Sequence, residues 1–243
     1  MHNAKRKILV CVEGEKIDVR LMERLFRLYG IDARYEIVPY KTNIYALYNT
    51  MFHEGDPQSL DLLQVLKEHE PIGERKQLFD EKYSDILLVF DMDPQDPQFL
   101  PDKLVRMAEF FRESTDTGKL YINYPMVEAF YHMSSIPDPG YNDRYATYAE
   151  LMSRDYKTRV NHENRNRDYT KFAVTKEECN IVIRQNMEKA EMLAGHTDSQ
   201  EQPTPSQTDI LNTQIKFFTQ QKIVSVLSTC AFFIADYNPG LLS

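Results

Sequence analysis

Asp85-Ile-Leu-Leu-Val-Phe-Asp91-Met-Asp93-Pro94 is an apolar run that stops abruptly at two carboxylates one residue apart. Five consecutive apolar residues without polar alternation predict a strand covered on both faces, as in a parallel sheet sandwiched by helices. Pro94 ends the run, since it has no amide to offer a neighbouring strand. Side chains alternate along an extended segment, so Asp91 and Asp93 are expected on one side and Met92 on the other. The carboxyl end of a strand is where open α/β sheets bind their ligands. Two like charges this close repel unless a proton or cation lies between them, and a hard divalent ion such as Mg2+ is the usual occupant. A plain strand exit with solvated turn aspartates would produce the same pattern.

A second run of this kind opens the chain. Lys7-Ile-Leu-Val-Cys-Val-Glu13-Gly14-Glu15 is continuously apolar up to a carboxylate, and Gly14 then suits a tight strand-to-helix turn. From Lys16 to Tyr29, apolar residues at Ile17, Leu21, Leu25 and Leu28 predict an amphipathic crossover helix that Gly30 stops. Asp18 falls in its first turn, where a carboxylate either answers the positive end of the helix dipole or adds to a site. Arg34-Tyr-Glu-Ile-Val-Pro39 predicts a second strand. Residues 43–69 hold two helical stretches around the turn Glu54-Gly-Asp-Pro57, with His53 and His69 read as surface histidines.

Beyond the central run, Pro94 to Pro101 is proline-rich and predicts a loop, in which Asp96 is a further available acid. Lys103 to Glu113 reads as a helix. Lys119-Leu-Tyr-Ile-Asn-Tyr reads as a fourth strand feeding Pro125, a residue suited to a first helical turn. Glu128 and His132 are then expected one turn apart on one helix face, with Glu128 at the carboxyl edge of the sheet; a simple surface pair is the alternative. Strand-helix alternation over this region argues for a parallel α/β sheet.

Past about residue 135 the pattern changes. Ile136-Pro-Asp-Pro-Gly140 is turn-rich, strand-like runs give way to helical ones, and the chain divides into 1–135 and a helical extension over 136–243. Arg154, Lys157, Arg159, Arg165, Arg167 and Lys171 gather in one stretch with Tyr156 and Tyr169 interleaved. Basic and aromatic residues together can hold phosphate and stack on bases, which makes Arg165, Arg167 and Lys171 the nucleic-acid candidates; a solvated loop of mixed charge is the alternative. Thr175-Lys-Glu-Glu178 has the form of a capping box opening a helix that Gly195 ends, His196 to Ser206 reads as a mobile loop, and Thr208-Asp209 as the cap of a last helical region.

Composition narrows the function. With 243 residues, 42% of them hydrophobic, the chain can bury a sizeable core. A formal net charge of -8 disfavours wrapping nucleic acid over the whole surface, so any polynucleotide contact should be local. Cys11, Cys179 and Cys230 have no metal-ligand spacing and read as free thiols in a reducing interior. There is no signal-like leader and no apolar run approaching the ~18 residues of a membrane span, so a cytoplasmic address is expected and no membrane partner. No internal repeat, Walker-type glycine loop or zinc spacing is present.

Val12-Glu13-Gly14-Glu15 with Asp18 resembles the first motif of the Toprim domain, and Asp91-Met92-Asp93 resembles its second. Asn123-Tyr-Pro125-Met-Val-Glu128 is similar to the Asn-Pro-x-x-Glu segment of single-Toprim proteins of abortive-infection systems. The resemblance covers roughly residues 5 to 135. It implies a mostly parallel, Toprim-like sheet flanked by helices, and a Mg2+- or Mn2+-dependent nuclease acting on DNA or RNA as the effector of a phage-defence system, with a partner protein such as an ATPase. On that reading Asp91 and Asp93 hold the ion, Glu13 completes its shell or acts as general acid-base, and Glu128 joins the catalytic acids. Two rivals share the fold: a non-catalytic partner or sensor subunit, and a ribonuclease of the ribosomal-RNA maturation type. A phosphotransfer receiver fits less well, because two acids at Asp91 and Asp93 do not match its single phosphoacceptor.

Overall fold

The computed structural model describes residues 6–31, 34–52, 56–195 and 203–242. His53, part of the turn expected at Glu54–Pro57, and most of the loop expected from His196 lie outside the described residues. Chain order is β1 (Lys7–Val12), α1 (Ile17–Tyr29), β2 (Arg34–Pro39), α2 (Ile44–Phe52), α3 (Leu62–His69), a short α4 (Gly73–Lys76), β3 (Asp85–Asp91), α5 (Pro101–Phe110) and β4 (Lys119–Asn123). It continues with β5 (Tyr145–Thr147), α6 (Tyr148–Ser153), α7 (Asp155–Glu163), α8 (Lys176–Ala194), α9 (Gln207–Gln221), β6 (Ile223–Ser225) and α10 (Phe233–Tyr237).

The two acid-terminated apolar runs are adjacent strands. β1 pairs in parallel with β2 on one side and β3 on the other, and the four-stranded parallel sheet has the order β2-β1-β3-β4. Ile8 to Val12 and Ile86 to Phe90 are buried along their lengths, which is why neither run alternates: helices cover both faces. β2 is an edge strand and keeps Arg34 and Tyr35 exposed. From β1 the chain moves outward to β2, and from β3 outward in the opposite direction to β4. The switch point therefore lies between β1 and β3, where open α/β sheets place their ligand crevice.

Two compact units result, Met1–Phe90 with Arg106–Tyr121, and Asp91–Val105 with Ile122–Ser243. In the first, α1 ends at Gly30, whose φ of 53° closes the helix in the left-handed region. Gly14 is favoured by a close approach: a Cβ there would stand 2.5 Å from Oδ2 of Asp18, itself a buried residue of the first turn of α1, so the carboxylate would have to shift. Gly14→Ala should therefore overpack this turn and cost about 1–3 kcal/mol. Thermal unfolding would report it as a drop of several degrees, and an unchanged midpoint would mean that the Asp18 side chain can move aside.

The second unit is mainly helical and differs from the sequence-based expectation in four places. It contains a small antiparallel pair, β5 with β6, in a region expected to lack strands; each has three residues, too few to show alternation. The segment after Pro125 is a 3-10 turn, Val127–Tyr131, and not an α-helix, so Glu128 and His132 do not share a face: in 3-10 geometry the i and i+3 positions eclipse. Ser206, not Thr208, caps α9 by accepting the Asp209 amide. The basic stretch after Arg154 is no plain loop either, since α7 occupies its first half. Thr175 accepts the Glu178 amide, one half of the expected capping box, while the Glu178 carboxylate serves Arg165, and Gly195 closes α8 at φ 79° as expected. Cys11, Cys179 and Cys230 are buried thiols outside any disulfide. Among the described residues no helix is long and apolar enough to cross a membrane.

Candidate functional site

Asp91 is the last residue of β3 and is buried. Its Oδ1 accepts from Nδ2 of Asn123, the last residue of β4, at 3.3 Å. Asn123 is fixed in turn, accepting at Oδ1 from the Ser228 hydroxyl at 3.0 Å, while the Ser228 amide donates to Asn186 of α8 at 2.8 Å. The buried polar groups are thus linked one to the next, as the low interior dielectric demands.

Pairing continues past the strand end, with the Met92 amide donating to the Asn123 carbonyl and the Asp93 amide to the Pro125 carbonyl. Asp93, however, has φ 40°, so the extended alternation expected over Asp91-Met-Asp93 fails at its last residue. A left-handed non-glycine residue is uncommon, though aspartate is among those that tolerate it, and such strain collects at functional sites. Gln95 holds Asp93 Oδ1 at 2.8 Å. Burial pushes the Asp93 carboxyl up to about 6, with Glu128 and Asp96 adding to the rise and Gln95 and Lys157 opposing it.

Glu128, in the 3-10 turn, is buried, with an exposure of 1%. Its Oε1 lies 3.0 Å from Nζ of Lys157, and its Oε2 is buried without a hydrogen-bond partner. Burial acts to lower the Lys157 pKa, but Glu128, Asp91 and Asp93 outweigh it and leave the ammonium above its ordinary value. The acids therefore share one countercharge.

α7 supplies Lys157 and is locked in place by the residue before it. Tyr156 places its hydroxyl 3.2 Å from Nδ1 of His132, whose Nε2 lies 2.8 Å from Glu163 at the end of α7. His132 is fully buried, and burial pulls its pKa down to about 4. A neutral ring with its proton toward Glu163 satisfies both contacts. Glu163 also accepts from Arg144 at 2.6 Å, and Arg144 from its other nitrogen reaches Asp138 at 2.8 Å.

Of the residues singled out from sequence, Asp91, Asp93 and Glu128 fall in one unit under the influence of Lys157. Glu13 belongs to the other unit, just past β1, where its amide donates to the Val89 carbonyl. Arg165, Arg167 and Lys171 are exposed, but Arg165 is engaged with Glu178 at 2.7 Å and Lys171 lies 3.4 Å from Asp168. Lys157 and Asn123 were not singled out as site residues. Asn123 stands at the end of β4 as Asp91 does at the end of β3, a positional signal, whereas nothing distinguished Lys157 from the other basic residues around it.

Carboxylate oxygens suit a hard cation, and Glu128 Oε2, buried without a hydrogen-bond partner, is an acceptor not yet used. Among the described residues, no group of three or more His, Cys, Asp or Glu side chains converges on a point that could hold a metal ion. Mg2+ does not require such a cage, since it is commonly held through one or two carboxylates and keeps several waters. No family model, no curated protein and no solved structure matches the chain.

Proposed function

We propose that the chain is a Toprim-type, Mg2+- or Mn2+-dependent phosphodiesterase acting on nucleic acid. The observation that carries this reading is the pairing of a strand-end Asp91 with a strained Asp93 whose carboxyl is raised by burial, both electrostatically tied to Lys157, which meets the buried Glu128. Asp91 and Asp93 would hold the ion, which when bound would stabilise negative charge on the phosphodiester. Asn123 orients Asp91 through its amide. Glu128, buried beside them, has a second oxygen able to take a proton from a water or return one to a leaving oxygen.

The test is incubation of purified protein with Mg2+ or Mn2+ and a panel of plasmid, single-stranded DNA and transfer RNA. Cleavage that needs the ion and disappears in Asp93→Ala and Glu128→Gln supports the assignment, and Glu13→Gln examines the sequence-based role of Glu13 in the same assay. Full activity in a folded Asp93→Ala protein would sink it. A second reading, a partner subunit without turnover, would keep the same acids. Ion binding without cleavage of any member of the panel would select it.

Nucleic-acid binding through the second unit makes a separate prediction. Triple replacement of Arg165, Arg167 and Lys171 by alanine should flatten the dependence of log K on log salt by about 0.7 for each single-strand phosphate no longer neutralised. Because Arg165 already serves Glu178 and Lys171 lies beside Asp168, most of the change is expected from Arg167. An unchanged slope in a binding titration would return the stretch to an ordinary solvated surface.

A further inference from the structure

Lys157 reaches the acids in an unusual way. Its side chain is 60% exposed, whereas the Glu128 carboxylate it meets is 1% exposed. A long, mobile side chain thus supplies from outside the positive charge that the buried acids need. The helix carrying it cannot easily follow, because Tyr156 is buried and hydrogen-bonded to His132, and His132 to Glu163, at the two ends of α7. The part free to move is therefore the lysine side chain alone. The ion pair also leaves Glu128 Oε2 unpartnered, although that atom is buried, so Lys157 only half satisfies the carboxylate.

We infer that Lys157 is a displaceable counter-cation: it neutralises Glu128 and the neighbouring Asp91 and Asp93 in the free protein, yields that place to a divalent cation, and then turns its ammonium to a phosphate oxygen of the bound strand. This rests on the metal-site reading proposed above and adds to it a competition between Lys157 and the ion, together with a phosphate-binding residue. The direction of the effect follows from charge. A cation already beside the carboxylates opposes entry of a second one, and a partly exposed pair is weak enough for the second to win. Once released, the ammonium keeps its charge and lies beside the strand whose phosphate it neutralises.

Two titrations on the full chain test this, with Mn2+ followed by calorimetry and a fluorescein-labelled single-stranded DNA oligonucleotide followed by anisotropy. Lys157→Gln is expected to tighten Mn2+ binding by about fivefold, the size of a partly exposed ion pair. The same variant should weaken oligonucleotide binding when Mn2+ is present and leave it nearly unchanged in EDTA. Lys157→Arg, which keeps the charge, should resemble the wild type in both titrations and shows that the site survives substitution. Unchanged Mn2+ affinity in Lys157→Gln, with the wild type binding Mn2+ and Asp91→Asn failing to, would overturn the inference and spare the metal site. Equal loss of oligonucleotide binding with and without Mn2+ would overturn it too. A wild-type protein that binds no Mn2+ would overturn both the inference and the metal-site reading.

Discussion

Asp91→Asn is expected to lower Mg2+-dependent cleavage by about 1,000-fold while the protein stays folded. A bound divalent ion contributes several kcal/mol of transition-state charge stabilisation, and about 4 kcal/mol corresponds to three powers of ten in rate. Asparagine is a better replacement than alanine for this purpose. Truncation would leave Nδ2 of Asn123 buried without its acceptor, which costs about 1–3 kcal/mol and confuses loss of function with loss of fold. The substituted amide keeps a carbonyl oxygen for Asn123, while it removes the charge and turns the second oxygen into an NH2 group. Single-turnover cleavage at matched ionic strength, beside a denaturation curve for each protein, separates the two effects. Activity within tenfold of wild type in the folded variant would show that Asp91 is a structural strand terminus.

The parallel sheet was legible in the sequence because burial on both faces forces continuous apolar runs, and Lys7–Val12 and Asp85–Asp91 both have them. Gly30 and Gly195 marked helix ends because both occupy left-handed backbone. The placement of Asp91 at a strand end could likewise be read. What could not be read are features set by distant partners. Glu163 lies 31 residues from His132 and Ser228 lies 105 from Asn123, and no local periodicity records either pairing. Lys157 is one basic residue among several until α7 is folded against the turn that carries Glu128. Asp93 illustrates a second limit: the rule of alternation holds only while backbone stays extended, and a single residue at positive φ breaks it.

The pH dependence of stability should be dominated by Lys189, a group far from any sequence signal. It lies in α8 and is buried, donates from Nζ to the carbonyls of Tyr141 at 2.8 Å and Arg144 at 2.9 Å, and stands 4.7 Å from the Tyr141 ring centre. Burial pulls its pKa down to about 7, with Arg144 acting in the same direction and Asp143 and Asp138 against it. An unfolded chain gives lysine its ordinary value of 10.5. Between these values the unfolded chain holds a proton that the folded protein has released, so stability must rise with pH. In the acid range no single group governs. His132, lowered to about 4, makes stability rise with pH, whereas Asp93, raised to about 6, makes it fall over much of the same interval. Above about pH 8.5, Cys11 and then tyrosines such as Tyr141 and Tyr156, held protonated by burial, oppose the trend. From pH 7 to 8.5 the lysine dominates, and at 1.36 kcal/mol per unit the gain is about 1.5 kcal/mol. Urea denaturation across that interval should show this rise in the wild type and a nearly flat line for Lys189→Met. A wild-type stability that stays level or declines between pH 7 and 8.5, or a variant that keeps the slope, would mean that Lys189 remains protonated in the fold, its charge held by the two carbonyls and the Tyr141 ring.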